Sequence, residues 1–222
     1  MKNLSMWGQF IYYYQHNGMY VLSKFNQHLL ISVEGVLIAA IIGIPIGAYI
    51  AYHHKLANPV IQLANLIQTI PSLAMVSILM LALGLGDQTV ITTIFLYSLL
   101  PIIQNTYIGL RSVDPSVIDA SRGMGMTRWQ RFYMVQLPLS ISVIMSGIRL
   151  ALVIAIGVTA IGAFVGAGGL GDIIIRGTNA TNGGAIILAG ALPTAFMAIA
   201  CDLLLEGVQR LLQPKTSSQS SN

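Results

Sequence analysis

Residues 35–54, 56–86, 88–110, 150–171 and 177–201 of this chain each run without an Asp, Glu, Lys or Arg. Each is long enough to cross a bilayer as a helix, which takes roughly 20 apolar residues. Inside hydrocarbon the backbone amides must find partners within the segment, and a helix supplies them. Composition leaves no soluble alternative. A chain of 222 residues that is 55% hydrophobic and 8% charged, with a mean hydropathy of +0.75, carries more apolar surface than one soluble domain buries. The expectation is an all-α, polytopic membrane protein with about five transmembrane helices, near 27–52, 58–83, 88–110, 139–165 and 184–208.

Lys and Arg outside those spans give the orientation, because cytoplasmic loops hold the excess of them. With the N-terminus outside, the inner face collects Lys55, Arg111, Arg122, Arg128, Arg131, Arg210 and Lys215, against Lys2, Lys24 and Arg176 outside. That predicts N-out and C-in, with a multi-pass location in the cell membrane. The first residues lack the apolar core of a cleaved signal peptide. Trp7, Phe10, Ile11 and Tyr14 fall at helical spacing, which reads as an amphipathic helix in the outer interface or, alternatively, as a loose aromatic tail.

Asp114 to Pro138 is the one long polar interruption. Asp114-Pro115 reads as an N-cap followed by proline at the first helical position, starting a short helix to about Met124 that Gly123 and Gly125 stop. Thr127 with Gln130 forms a capping-box pattern, so a second short helix is predicted from Arg128 toward Gln136, ending before Pro138. Two short helices joined at a glycine turn make a knob on the membrane face. Ala120 and Ser121 are small enough for close approach, and Trp129, Phe132 and Tyr133 would tie the knob to neighbouring helix ends. The plainer alternative is an interfacial loop that is basic for topology alone.

Within this loop Asp119-Ala120-Ser121 is followed after three residues by Gly125, after nine more by Val135, and then by Leu137-Pro138. That spacing resembles the Glu-Ala-Ala loop of ABC importer permeases, with Asp for Glu, Ser for the second Ala and Val for Ile. The runs QTIPSLAMVSILMLALGLG (68–86) and SGIRLALVIAIGVTAIGAFVGAGGLGDIIIRG (146–177) look like permeases of the osmoprotectant group, which carries glycine betaine, carnitine and choline. The resemblance implies a type I ABC importer permease fold and a coupling loop built from Asp119, Ala120, Ser121, Gly123, Met124, Gly125, Arg128, Leu137 and Pro138. It also implies two cytoplasmic ATPase subunits, a second permease subunit, an extracytoplasmic solute-binding protein and no role for nucleic acid. The chain itself would not be an enzyme and would bind no cofactor; ATP and Mg would be used by the partner ATPase. The lack of a Walker-type Gly-x-x-x-x-Gly-Lys-Ser/Thr motif agrees. The layout expected is an N-terminal extracytoplasmic or interfacial segment (1–23), a permease domain (24–212) containing the coupling loop (111–138), and a disordered tail (213–222).

Other features weigh less. Residues 166–171 read GAGGLG, matching Gly-x-Gly-x-x-Gly, but without the strand a dinucleotide fold requires. A tight extracytoplasmic turn is the expectation. Asn179-Ala180-Thr181 fits an N-glycosylation acceptor, a short and common pattern. Cys201 stands alone, and His16, His28, His53 and His54 make no partner cluster, so no metal site is expected. In the second span Gln62, Asn65, Gln68 or Thr69, and Ser72 form a polar stripe ended by a kink at Pro71. The stripe faces either other helices or a watery path, with Gln68 and Ser72 the candidates for the path. Arg149 lies about 16 Å beyond Pro138 along its helix, too deep to snorkel with ease, which points to a subunit interface or a pathway. Asp202, Glu206 and Arg210 are expected to pair among themselves at the inner end of the last span. Rival functions are a permease for methionine or another amino acid, a secondary transporter, and a non-transporting scaffold.

Overall fold

The computed structural model describes residues 5–213, and no strand occurs among them. The order is α1 (Met6–Tyr52), α2 (His54–Thr69), α3 (Ser72–Leu83), α4 (Asp87–Arg111), α5 (Pro115–Gly123), α6 (Arg128–Arg131), a π-helical turn (Phe132–Gln136), α7 (Leu137–Gly162), a 3₁₀ turn (Ala163–Val165), α8 (Leu170–Thr178) and α9 (Gly184–Leu212). Four helical stretches are long and apolar enough to cross a membrane, and α2 with α3 makes a fifth crossing bent by 93°.

Small residues set how these helices meet. Gly35, Ala39, Gly43 and Gly47 repeat every fourth residue, so they share one face of α1. α4 lies against that face so closely that a Cβ at Gly47 would stand 2.6 Å from the Thr106 Cβ and 2.8 Å from the Ile103 carbonyl oxygen. Gly147 of α7 backs onto the Pro101 carbonyl of α4 in the same way, at 2.6 Å. Lipid tails are as apolar as leucine, so such close van der Waals fit does the joining that water exclusion does in soluble proteins. Gly35 meets Ile94, Gly43 meets Ile102 and Gly47 meets Thr106, which makes α1 and α4 parallel.

Two ends of the bundle follow from this order. At one end Tyr52 donates to Gln136 Oε1, and Arg111 donates to His54 Nε2 at 3.0 Å. At the other, the 166–169 turn is gripped by α1: Gln27 Nε2 donates to the Ala167 carbonyl at 3.1 Å, and Gly169 N–H donates to Gln27 Oε1 at 3.2 Å. Gly166, Gly168 and Gly169 all have positive φ there, the tight turn that GAGGLG suggested. Lys24 pairs with Asp172 at 2.9 Å alongside. His28, which its sequence context left without a partner, is fully buried and uses both ring nitrogens. Its Nδ1 accepts from Leu170 N–H at 3.2 Å, so the proton sits on Nε2, which donates to the Ile156 carbonyl at 2.9 Å.

Two expectations change, and the helix of the first span proves longer than the span. The helix that carries the first span reaches back well before residue 27: α1 runs from Met6 as two helical stretches joined at Asn17, which is out of helical geometry (φ −126°, ψ 16°). Its 47 residues correspond to about 70 Å, over twice the hydrocarbon thickness. The stretch over 6–23 is therefore helical too, with the break at Asn17 inside it. The second span is not one kinked rod, because Pro71 breaks it outright at Ile70. The helix from Arg128 does not stop before Pro138 either. The Leu137 N–H reaches back to the Phe132 carbonyl, and the wider turn carries the helix past a proline ring that would otherwise strike the preceding turn. The tail predicted over 213–222 lies outside the described residues except for Gln213.

Candidate functional site

The knob between α4 and α7 is built from its caps outward. Asp114 accepts from the Ser116 N–H at 2.8 Å with Pro115 at the first helical position, which starts α5 as its sequence indicated. The Ser116 N–H, and after it the Ser116 hydroxyl, hold the Asp114 carboxyl below the usual carboxylate range. Gly125 turns the chain at φ +76°, and the Met126 N–H closes the turn onto the Ser121 carbonyl at 3.2 Å. Thr127 and Gln130 then make the reciprocal capping box, at 2.8 and 3.3 Å. Both short helices are thus held by side chains on their own loop.

Most of the predicted coupling residues share the knob's open surface. Asp119, Ala120, Gly123, Met124, Gly125, Arg128 and Pro138 are exposed, and Leu137 is half-buried. Met124 is 73% exposed and stands at the tip of the turn. Asp119 pairs with Arg122 at 3.1 Å on the same face, a weak exposed bridge. Ser121 departs from expectation: it is buried, with its hydroxyl donating to the Ile118 carbonyl at 2.6 Å, so it serves the inner side of the turn and not the contact face. Of the three aromatics expected to bind the knob to neighbouring helices, Phe132 does so, its ring edge-on to Tyr52 with centroids 6.3 Å apart. Trp129 and Tyr133 instead stack on each other at 6.0 Å and stay exposed.

The polar stripe of α2 divides. Gln68 is half-buried and donates from Nε2 to the Tyr97 carbonyl of α4 at 2.9 Å, while Ser72 is half-buried at the start of α3. Gln62 and Asn65 are exposed, with Gln62 reaching Asn58 at 3.5 Å.

Arg149, expected at a subunit interface or a pathway, is paired within the chain. Its Nε and Nη2 meet the two carboxylate oxygens of Asp202 at 2.9 Å each, its Nη2 also reaches Glu206 at 3.3 Å, and its Nη1 donates to Gln209 at 3.0 Å. Glu206 takes a second cation, Arg210, at 2.5 Å, and Gln209 donates to the Ser142 carbonyl at 2.9 Å. The expected pairing within α9 is therefore half right, since its carboxylates also face α7. Asp202 lies about as far from the end of α9 as Arg149 lies from the start of α7. Matching depths in the two spans was the signal that could have joined them.

Residues 43–218 match the family described as the binding-protein-dependent transport system inner membrane component. The chain belongs to this family. Among the relatives of this inner membrane component, the carnitine transport permease protein OpuCD of Listeria monocytogenes is 62% identical over 93% of this chain and 92% of its own length. The glycine betaine/carnitine/choline transport system permease protein OpuCD of Bacillus subtilis is 59% identical, over 91% and 88%. The choline transport system permease protein OpuBD of the same organism is 57% identical, over 93% and 91%. Among solved structures, the inward-facing MetNI methionine ABC transporter contains a chain of the same fold, with a TM-score of 0.78 at 20% identity, covering 87% of this inner membrane component and 96% of that chain. A second crystal form gives a TM-score of 0.75 at 22% identity, covering 88% and 98%. The type I importer permease fold implied by the loop spacing is thereby met.

Proposed function

We propose that this chain is the membrane-spanning permease subunit of an ATP-driven importer for quaternary ammonium osmoprotectants, namely glycine betaine, carnitine or choline. The observation that carries the reading is the 62% identity to a carnitine permease over more than nine-tenths of both chains. Residues 24–212 form the permease domain and 111–138 the coupling loop, in which Asp119, Ala120, Gly123, Met124, Gly125 and Arg128 meet a cytoplasmic ABC ATPase. Ser121 and Leu137 shape that loop from behind, and exposed Pro138 closes it. ATP and Mg act in the ATPase, a second permease subunit completes the path, and an extracytoplasmic binding protein delivers the solute. The path follows the bent α2–α3 crossing past Ser72, and Gln68 holds its corner.

The N-terminus lies outside and the C-terminus inside. Among the described residues Lys55, Arg111, Arg122, Arg128, Arg131 and Arg210 gather at the end of the bundle that carries the knob, against Lys24 and Arg176 at the other, and this supports that orientation. Residues 1–23 then form the extracytoplasmic or interfacial segment. Methionine as the solute has support only from a fold shared at 20–22% identity, which does not bear on substrate.

Reconstitution with the cognate ATPase and binding protein tests the reading. ATP-dependent uptake of labelled carnitine, glycine betaine or choline is the outcome expected; uptake of methionine alone would overturn it. Gly125→Asp tests the coupling loop. The left-handed backbone at φ +76° disfavours any side chain by about 1–2 kcal/mol, and the new carboxylate would stand on the docking face. Uptake should be abolished with membrane insertion intact, and normal uptake would remove the docking assignment.

A further inference from the structure

The break between α2 and α3 is held by two hydrogen bonds that answer each other. Pro101 interrupts α4 and has no N–H, so the Tyr97 carbonyl one turn earlier has lost its helical donor. Gln68 Nε2 donates to that carbonyl at 2.9 Å. On the other side, Pro71 ends α2 and sets Ile70 in an extended conformation (φ −67°, ψ 127°), which leaves the Ile70 carbonyl outside any helix ladder. The Tyr97 hydroxyl donates to it. Each carbonyl that a proline orphans is satisfied by a side chain from the opposite helix. Tyr97 is only 7% exposed, so its carbonyl is poorly placed to turn to water instead.

The corner also governs where both arms point. Away from it, α2 and α3 show large exposed faces, with Leu63, Leu66, Ile78 and Leu81 all open. We infer that Gln68 and Tyr97 are positioning residues for transport: together they form a clasp that sets the 93° elbow, and hence the direction of α3, in the transport-competent permease. Gln68 then acts through the Tyr97 backbone and not by touching solute. This inference deepens the transport reading above and rests on it.

Pro101 makes a decisive test available. Replacing it with alanine gives the Tyr97 carbonyl a backbone N–H of its own and removes the need for Gln68. In the reconstituted importer, Gln68→Leu should lower maximal uptake roughly tenfold at unchanged permease abundance and unchanged half-saturating solute concentration, as loss of a buried partner at a working joint predicts. Pro101→Ala in the same chain should recover most of the loss. Spin labels on cysteines introduced at Leu63 and Leu81 should report one narrow distance in the parent, a broad distribution with Gln68→Leu, and a narrow one again in the double variant. Wild-type uptake in Gln68→Leu, no rescue by Pro101→Ala, or a changed half-saturation alone would each overturn the clasp; the last would make Gln68 a solute contact. If Gln68→Leu fails to insert, Tyr97→Phe, which removes only the hydroxyl, decides by the same uptake and distance readouts. The distance measurement needs no solute, so a parent importer that ignores quaternary amines would strike the transport reading while leaving the clasp to stand or fall separately.

Discussion

Arg149 meets Asp202 as a fork, two nitrogens on two oxygens at 2.9 Å, the geometry in which a guanidinium binds a carboxylate most strongly. With Glu206 and Arg210 the group sums to zero charge, so a cation deep in a span is neutralised by protein before lipid meets it. Removing the cation alone leaves two carboxylates facing each other. Arg149→Met should lower the thermal midpoint in detergent by roughly 5 °C, and adding Asp202→Asn should return part of it; a midpoint that falls further in the double variant would show the carboxylates are held by something else. Asp114 gives a second residue-scale expectation. Its folded pKa is depressed, so the stability it lends α5 is fully present above the unfolded value of about 3.9 and is lost as pH falls through the folded value. Amide exchange over 115–119, corrected for its intrinsic pH dependence, should lose protection only below about pH 4, and Asp114→Asn should flatten that dependence.

At the scale of elements, what could be read in advance was whatever depends on neighbours in the chain. The Asp114-Pro115 start, the Thr127–Gln130 box and the Gly125 turn are local hydrogen-bond patterns, and each forms as written. What could not be read depends on the other side of a contact. Ser121 looked available for docking because it is small, yet the Met126 N–H folds back onto its carbonyl and shuts it in. Pro138 looked like a stop because proline clashes with a regular turn, but a π-turn evades that clash. His28 and Gln27 gave no sign in one dimension of the turn at 166–169 that they hold. The local caps can be tested apart from the bundle. Thr127→Ala should cost about 1 kcal/mol of local stability, read as faster exchange at amides 128–131 with the global thermal midpoint unchanged. A drop in the global midpoint would mean that the knob is cooperative with the spans.

For the molecule as a whole, the apolar runs announced the number of crossings, and the fold keeps that number while redistributing length among them. α1 is too long for one bilayer and α2 too short, and the bend at Ile70 lets α2 and α3 share a crossing that neither makes alone. With α2 and α3 counted together as one crossing, the five candidate crossings would put the two ends of the described bundle on opposite faces. The orientation proposed above rests on the basic residues beside α5 and α6, since reversing the bundle would send the most cationic loop across the membrane. That choice is measurable with cysteine labelling. In a Cys201→Ala background, a cysteine replacing exposed Gln15 should react with a membrane-impermeant maleimide on intact cells, whereas one replacing Met124 at the tip of the knob should react only after the cells are opened. The reverse pattern would turn the bundle over and, with it, remove the knob from reach of any cytoplasmic ATPase.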